Sequence, residues 1–206
     1  MKLVVLTTIV TAVIATVLVT VFLHMRVMAL ASVDFRVTYP EVPVEVTEAV
    51  RSAEAQYYAS LSMPRRLAEE GEDILALLWP AAVKKLDFSV GPYRIKASTM
   101  EDIFPWAISA GYLVLVDAEP DEALASISYF SEQPALADWG ASLVLEHLRL
   151  RHPEMRMMGW DTIRSDPHLI AKLYSGYMGA GGDWVGWESS LSPGPEALRR
   201  MKLQGP

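Results

Sequence analysis

The sequence predicts a mainly α-helical domain behind one N-terminal transmembrane helix. Three observations carry this. Leu3 to Leu23 is an uncharged, largely apolar run of 21 residues, and one bilayer-crossing helix needs about 20. From Val44 onward, apolar residues recur at spacings of three and four, the period of a half-buried helix. The periodic stretches are parted by Pro, Gly and acid-rich breaks, and runs of strand-like alternation are scarce.

Composition sets the outer limits. A chain of 206 residues has room for one membrane element and one domain of common size. With 51% hydrophobic residues it can build a core and is too apolar for a disordered chain. It has no Cys, which excludes a disulfide framework and a thiolate metal site. Net charge is −7; residues 1–33 hold Lys2 and Arg26 and no acid, so the remainder carries −9. Binding a phosphate backbone needs Lys and Arg to displace counterions, so no nucleic-acid partner is expected.

The apolar run exceeds the roughly 7–15 residues of a signal-peptide core, which favours an uncleaved anchor. Ala29-Leu30-Ala31 keeps a cleaved signal as the alternative. Lys2 and the amino terminus favour a cytoplasmic N-terminus, weakly opposed by Arg26. The domain is then expected outside the cytoplasmic membrane, on the periplasmic side. Later apolar runs such as Ala110 to Val116 are too short for a second span. Pro40 and Pro43 bracket a segment that reads as a tether. The expected division is 1–33 anchor or signal, 34–43 tether and 44–206 helical domain.

Within that domain, Val46, Val50, Ala53 and Tyr57 form an apolar stripe on a helix that starts at Val44 and ends before Pro64. Glu54 lies at the margin of the stripe. The patch Glu69-Glu70-Gly71-Glu72-Asp73 reads as a solvated face, followed by a helix over Ile74 to Leu86 that is interrupted near Pro80. Gly91-Pro92 breaks the chain, and Ser98-Thr99-Met100-Glu101 reads as a capping box with Ser98 as N-cap. Ile103 to Val116 reads as a buried helix with Pro105 in its first turn and Gly111 as a close packing point. Asp117 to Glu122 is a turn and helix start, and Ala123 to Phe130 continues it.

Leu136, Trp139, Leu143 and Leu150 keep a helical period over Ala135 to Leu150. His147 and His152 are five apart, not the four of a zinc-binding helix, so no metal is expected there. Ser165 or Asp166 caps a further helix, with Pro167 early and Gly176 as its stop. The stretch Gly176 to Trp187 lacks the Gly-Lys-Ser/Thr of a phosphate loop. Its Trp184 and Trp187 suit either sugar stacking or a lid on the core. Pro195 to Met201 makes a short closing helix.

Three of these stretches, in order, resemble lytic transglycosylases of the lysozyme-like superfamily. Ser89, Gly91, Ile95 and Thr99 match the signature Ser-x-Gly-Leu-Met-Gln-x-x-Pro-x-Thr-Ala without a gap, with Arg94 in place of Gln and Ala97 in place of Pro. Val46 to Tyr58 resembles the family's catalytic helix, an apolar helix with one Glu followed closely by an aromatic. Glu54 takes the place of that acid, with Tyr57 or Tyr58 as the aromatic. Ile170, Ala171, Leu173, Tyr174 and Gly176 match the late helix Ile-Ala-Thr-Leu-Tyr-Asn-x-Gly, with Ser175 for Asn. From Glu54 to Gly91 the spacing exceeds that of compact family members, which keeps Glu69, Glu70 and Glu72 as alternative acids. Glu54 is favoured, because a carboxyl against apolar atoms keeps its proton near neutral pH.

The resemblance implies a lysozyme-like fold, with the Glu54 helix central and Gly91 to Thr99 crossing near it. It implies a peptidoglycan substrate cut between N-acetylmuramic acid and N-acetylglucosamine, and no cofactor. Glu54 and Tyr174 become the catalytic pair, Tyr174 reaching back toward the acid. Ser89, Gly91, Tyr93, Arg94 and Ser175 become the substrate-binding set. The departures Arg94 and Ser175 point to one alternative, an inactive glycan- or protein-binding module; the other, with the motif matches accidental, is a helical interaction protein of an envelope complex.

Overall fold

The computed structural model describes residues 11–22, 25, 35–78, 85–87, 89–116, 134–179 and 192–202. These are mainly helical, as the apolar periodicity predicts. Helix α1 covers residues 11–22 and exposes Val13, Val17, Leu18 and Phe22. The rest of the apolar run and the Ala29-Leu30-Ala31 site lie outside the described residues. Among the described residues no helix is long and apolar enough to cross a membrane.

The segment read as a tether contributes a strand. β1 (Phe35–Val37) pairs antiparallel with β4 (Leu113–Leu115), Phe35 opposite Leu115 and Val37 opposite Leu113. The Thr38 N–H donates to Tyr112 O at 2.9 Å. The Trp139 indole N–H donates to Thr38 O at 3.1 Å. A three-residue strand whose partner lies far along the chain leaves almost no local pattern to read.

α2 (Val44–Ser60) spans the predicted stretch, and Val46, Val50 and Ala53 are fully buried. α3 (Met63–Leu78) runs unbroken through the acidic patch. Pro64 is tolerated in its first turn, where its missing N–H has no intrahelical partner to lose. Gly71 costs about 1 kcal/mol in a helix interior, which good helix formers on both sides offset. The acids therefore project from a helix, with consequences for the site below. Pro80 and Val83 lie outside the described residues.

β2 (Ser89–Val90) and β3 (Ile95–Lys96) form a hairpin with Ser89 opposite Lys96. Its turn places Gly91 at φ 73 and Arg94 at φ 49, and the Arg94 N–H returns to Gly91 O at 3.0 Å. Glycine takes that conformation without a steric cost. Arg94 takes it at about 1 kcal/mol and is held by the ion pairs it makes.

α4 (Ala97–Ser109) has Lys96 at its N-cap position, with no side-chain cap bond of its own. The expected Ser98–Glu101 capping box is not formed. Asp87 Oδ1 accepts from the Ser98 N–H at 3.0 Å instead, so an acid from the preceding turn does the capping. Pro105 sits in the helix interior, because α4 starts earlier than the apolar run suggests. The helix stops at Ser109, and Gly111 at φ 78 turns the chain into β4. Residues 110–116 are thus turn and strand, not helix. The elements expected over 117–130 lie outside the described residues.

α5 (Pro134–Arg151) is the core helix. Ala137 and residues 139–148 are all buried, as befits a helix surrounded on every side. It packs against α2, α4 and α7 (Pro167–Gly179). The Glu54 helix was expected at the centre; it lies beside α5. α6 (Trp160–Arg164) leads into α7, whose start is capped by Asp166 Oδ1 accepting from the His168 N–H at 2.8 Å. Gly176 is a buried position within α7, not its stop, because the packed helix continues past it. Trp184 and Trp187 lie outside the described residues. α8 (Pro195–Lys202) closes the domain against α7 and α2.

Candidate active site

Glu54 follows directly on the buried side of α2 and is itself only 6% exposed. Tyr174 comes from α7. Its hydroxyl donates to Glu54 Oε1 at 2.5 Å. A third group arrives from α8: Arg200 Nη1 donates to the same Oε1 at 3.1 Å and to the Tyr174 hydroxyl oxygen at 3.1 Å. The Arg200 guanidinium lies 3.6 Å above the Tyr57 ring, and its Nε donates to Glu196 Oε1 at 3.1 Å. Three helices meet on one carboxyl.

Burial raises the Glu54 pKa above the usual carboxyl value. The Tyr174 hydrogen bond and the charges of Arg200 and Arg94 pull the other way, while Glu69 adds to the rise. Burial and the neighbouring Glu54 charge also raise the Tyr174 pKa. Tyr174 therefore keeps its proton and donates it in the hydrogen bond.

Two clefts meet at Glu54. One, of about 210 Å³, is lined by Glu54, Tyr57, Glu69, Ser89, Arg94 and Arg200, among others. The other, of about 620 Å³, includes Glu54, Tyr58, Asp73, Gly91, Arg94 and Asp138. Glu54, Ser89, Gly91 and Arg94 are thus brought together as their motifs suggest, with Tyr174 behind the acid.

Tyr93 and Ser175 line neither cleft. Tyr93 is 2% exposed; its hydroxyl donates to Asp138 Oδ1 at 2.7 Å and its carbonyl accepts from the Tyr177 hydroxyl at 2.7 Å. It braces the hairpin against α5 and α7. Ser175 Oγ accepts from the Gly194 N–H at 2.9 Å and fastens the chain just ahead of α8. A Cβ at Gly194 would stand 2.9 Å from that oxygen, so a larger residue there would force the Ser175 hydroxyl to shift.

Arg94 stands where the signature has Gln, and it faces α3. Its Nη1 donates to both Asp73 carboxylate oxygens at 2.9 Å, and its Nη2 to Glu69 Oε2 at 2.5 Å. Glu69 and Asp73 are four apart on α3 and share one face. The solvated-face reading fails for these two acids: they are turned into the clefts and clamped. Burial raises the Asp73 pKa even against Arg94. We expect Arg94→Gln to cost about 1–2 kcal/mol, since the clamp is only partly exposed and its loss leaves two acids facing each other. Urea unfolding checks this, and adding Glu69→Gln should recover part of the loss.

Sequence reasoning gave Arg200, Glu196 and Asp138 no role. The spacing of Glu196 and Arg200 fits one face of a closing helix, but which residue that helix presents to Glu54 is a tertiary fact. Glu146, beside His147 on α5, accepts from Arg149 and from the Trp160 indole at 2.9 Å. No group of three metal-type side chains occurs among the described residues. The chain matches no family model, no curated protein and no solved structure.

Proposed function

We propose that this chain is a membrane-anchored, lytic transglycosylase-like enzyme with a lysozyme-like domain. It cuts the bond between N-acetylmuramic acid and N-acetylglucosamine in peptidoglycan, with Glu54 as its single acid/base. The observation that supports this most is the 2.5 Å hydrogen bond from Tyr174 to Glu54. It joins two motifs chosen by resemblance alone and separated by 120 positions.

The chemistry follows from the raised proton affinity of a buried carboxyl. Glu54 gives its proton to the glycosidic oxygen as the bond to the muramyl C1 breaks. The resulting carboxylate takes the proton from the muramyl 6-hydroxyl as that oxygen closes on C1, giving a 1,6-anhydro ring. Glu54 ends protonated as it began, and no water is consumed. Most glycosidases need a second carboxylate for the other face of the sugar; an internal nucleophile removes that need. The chemistry requires no cofactor. Residues 3–23 would hold the domain to the cytoplasmic membrane from its periplasmic side, where glycan strands are the partner.

Digestion of purified murein, read by mass spectrometry, tests this. Anhydro-muropeptides are expected. The alternative, a glycan-binding module without activity, is favoured by one observation: Arg200 pairs with Glu54 at 3.1 Å and supports its charged form. That reading predicts murein retained in a pull-down and left uncut. An interaction protein of an envelope complex would do neither.

A further inference from the structure

The two described side chains that hydrogen-bond to Glu54 both do so at Oε1. Tyr174 and Arg200 reach that oxygen from different helices and also touch each other. We propose that Arg200 is a positioning residue of this site: with Tyr174 it fixes Oε1, so that Oε2 is the oxygen that delivers and recovers the proton. The proposal rests on Glu54 being the acid/base.

The guanidinium is held for such a task. Tyr57 supports its face, Glu196 takes its Nε, and Nη1 meets the carboxyl. A planar fork locked on three sides has little rotamer freedom left to lose, which a flexible ammonium cannot match. Its side chain is 13% exposed and that of Glu54 is 7% exposed, so the pair is poorly screened.

Charge explains the second half of the role. Once Glu54 has released its proton, a carboxylate stands where burial disfavours it. The groups facing it are Tyr174 and Tyr177 from α7, Arg200 with Glu196 from α8, Arg94 from the hairpin, Glu69 from α3, and Tyr57 from its own helix. Arg94 is engaged by Glu69 and Asp73. Arg200 is the cation bonded to the carboxyl itself, and it offsets the charge in the base half of the cycle. The closing helix α8 thus completes the site from the far end of the chain.

The test combines carboxyl titration by NMR on the full chain, with ¹³C-labelled Glu side chains, and kinetics on murein. Glu54→Gln assigns the Glu54 resonance. Arg200→Met removes the charge and keeps the stem, so the Glu54 midpoint should move to higher pH, with the alkaline limb of kcat/KM moving the same way. Misplacement of the carboxyl should lower kcat about 10²-fold with little change in KM. Arg200→Lys should hold the midpoint close to wild type and recover only part of kcat. An Arg200→Met midpoint that stays at the wild-type value overturns the proposal, as does full kcat in Arg200→Lys, since a point charge without the planar fork would then suffice. A wild type that leaves murein intact overturns the enzymatic reading, while the titration separately decides whether Arg200 holds Glu54.

Discussion

Glu54→Gln should lower the release of murein fragments about 10²–10⁴-fold, the usual contribution of a positioned acid/base. Gln keeps the shape of the side chain and can still accept from Tyr174 and Arg200, but it has no proton to give the leaving oxygen. Tyr174→Phe should cost less, because in the proposed mechanism Tyr174 orients the carboxyl and transfers nothing. The comparison is product release at equal folded concentration. If Glu54→Gln retains full activity, the acid is another group, and Glu69, which lines the same cleft, is the next to test.

The same variant carries a pH signature of stability. The folded-state pKa of Glu54 is raised, chiefly by burial. Folding therefore favours the protonated form, and its stabilising contribution is fully present below the ordinary value of 4.5. That contribution is lost as pH rises through the raised pKa. Gln has no such titration, so the Tm of wild type relative to Glu54→Gln should fall as pH rises across that window. A flat difference would mean the carboxyl titrates as if exposed.

The pattern of what was legible in the sequence is physical. α2 and α5 were readable because apolar residues repeat a helical period along them, and the burial of Val46, Val50 and Ala53 follows from it; α7 was readable from its capping Asp166 and early Pro167, which fix its start and not its end. Glu54 and Tyr174 were singled out by resemblance; the apolar stripe beside Glu54 is local, but the hydroxyl that meets it lies 120 positions on, and no local pattern brings the two together. The acidic patch misled because charge density alone implies solvent; Arg94, which reverses that, sits 21 positions on. The start of α4 misled because Asp87 supplies the cap that Ser98 was expected to give. The Arg200 contact, 146 positions from Glu54, is set by how α8 docks, and no local pattern encodes a docking angle.

The largest expected effect on the fold itself is at Trp139. It is fully buried in α5, and its indole N–H donates to Thr38 O at 3.1 Å. Trp139→Ala should cost about 3–5 kcal/mol, the lost transfer of a large side chain plus the cavity it leaves. Two consequences set it apart from a generic core defect. The segment ahead of α2 loses its bond to α5, so amides of 35–38 should exchange faster than those of α2. The neighbouring Asp138, which holds the Tyr93 hydroxyl, and Gly140, whose added Cβ would stand 3.3 Å from Ile95 Cδ1, position the hairpin; loosening α5 should therefore disturb the cleft as well as the core. Leu150→Ala, at a position 38% exposed on the same helix, serves as the control and should stay within about 0.5–1 kcal/mol. Urea midpoints and hydrogen exchange measure both. If Trp139→Ala loses less than the control, residues 35–43 and α5 do not form one packed unit, and the segment behaves as the tether its two prolines suggest.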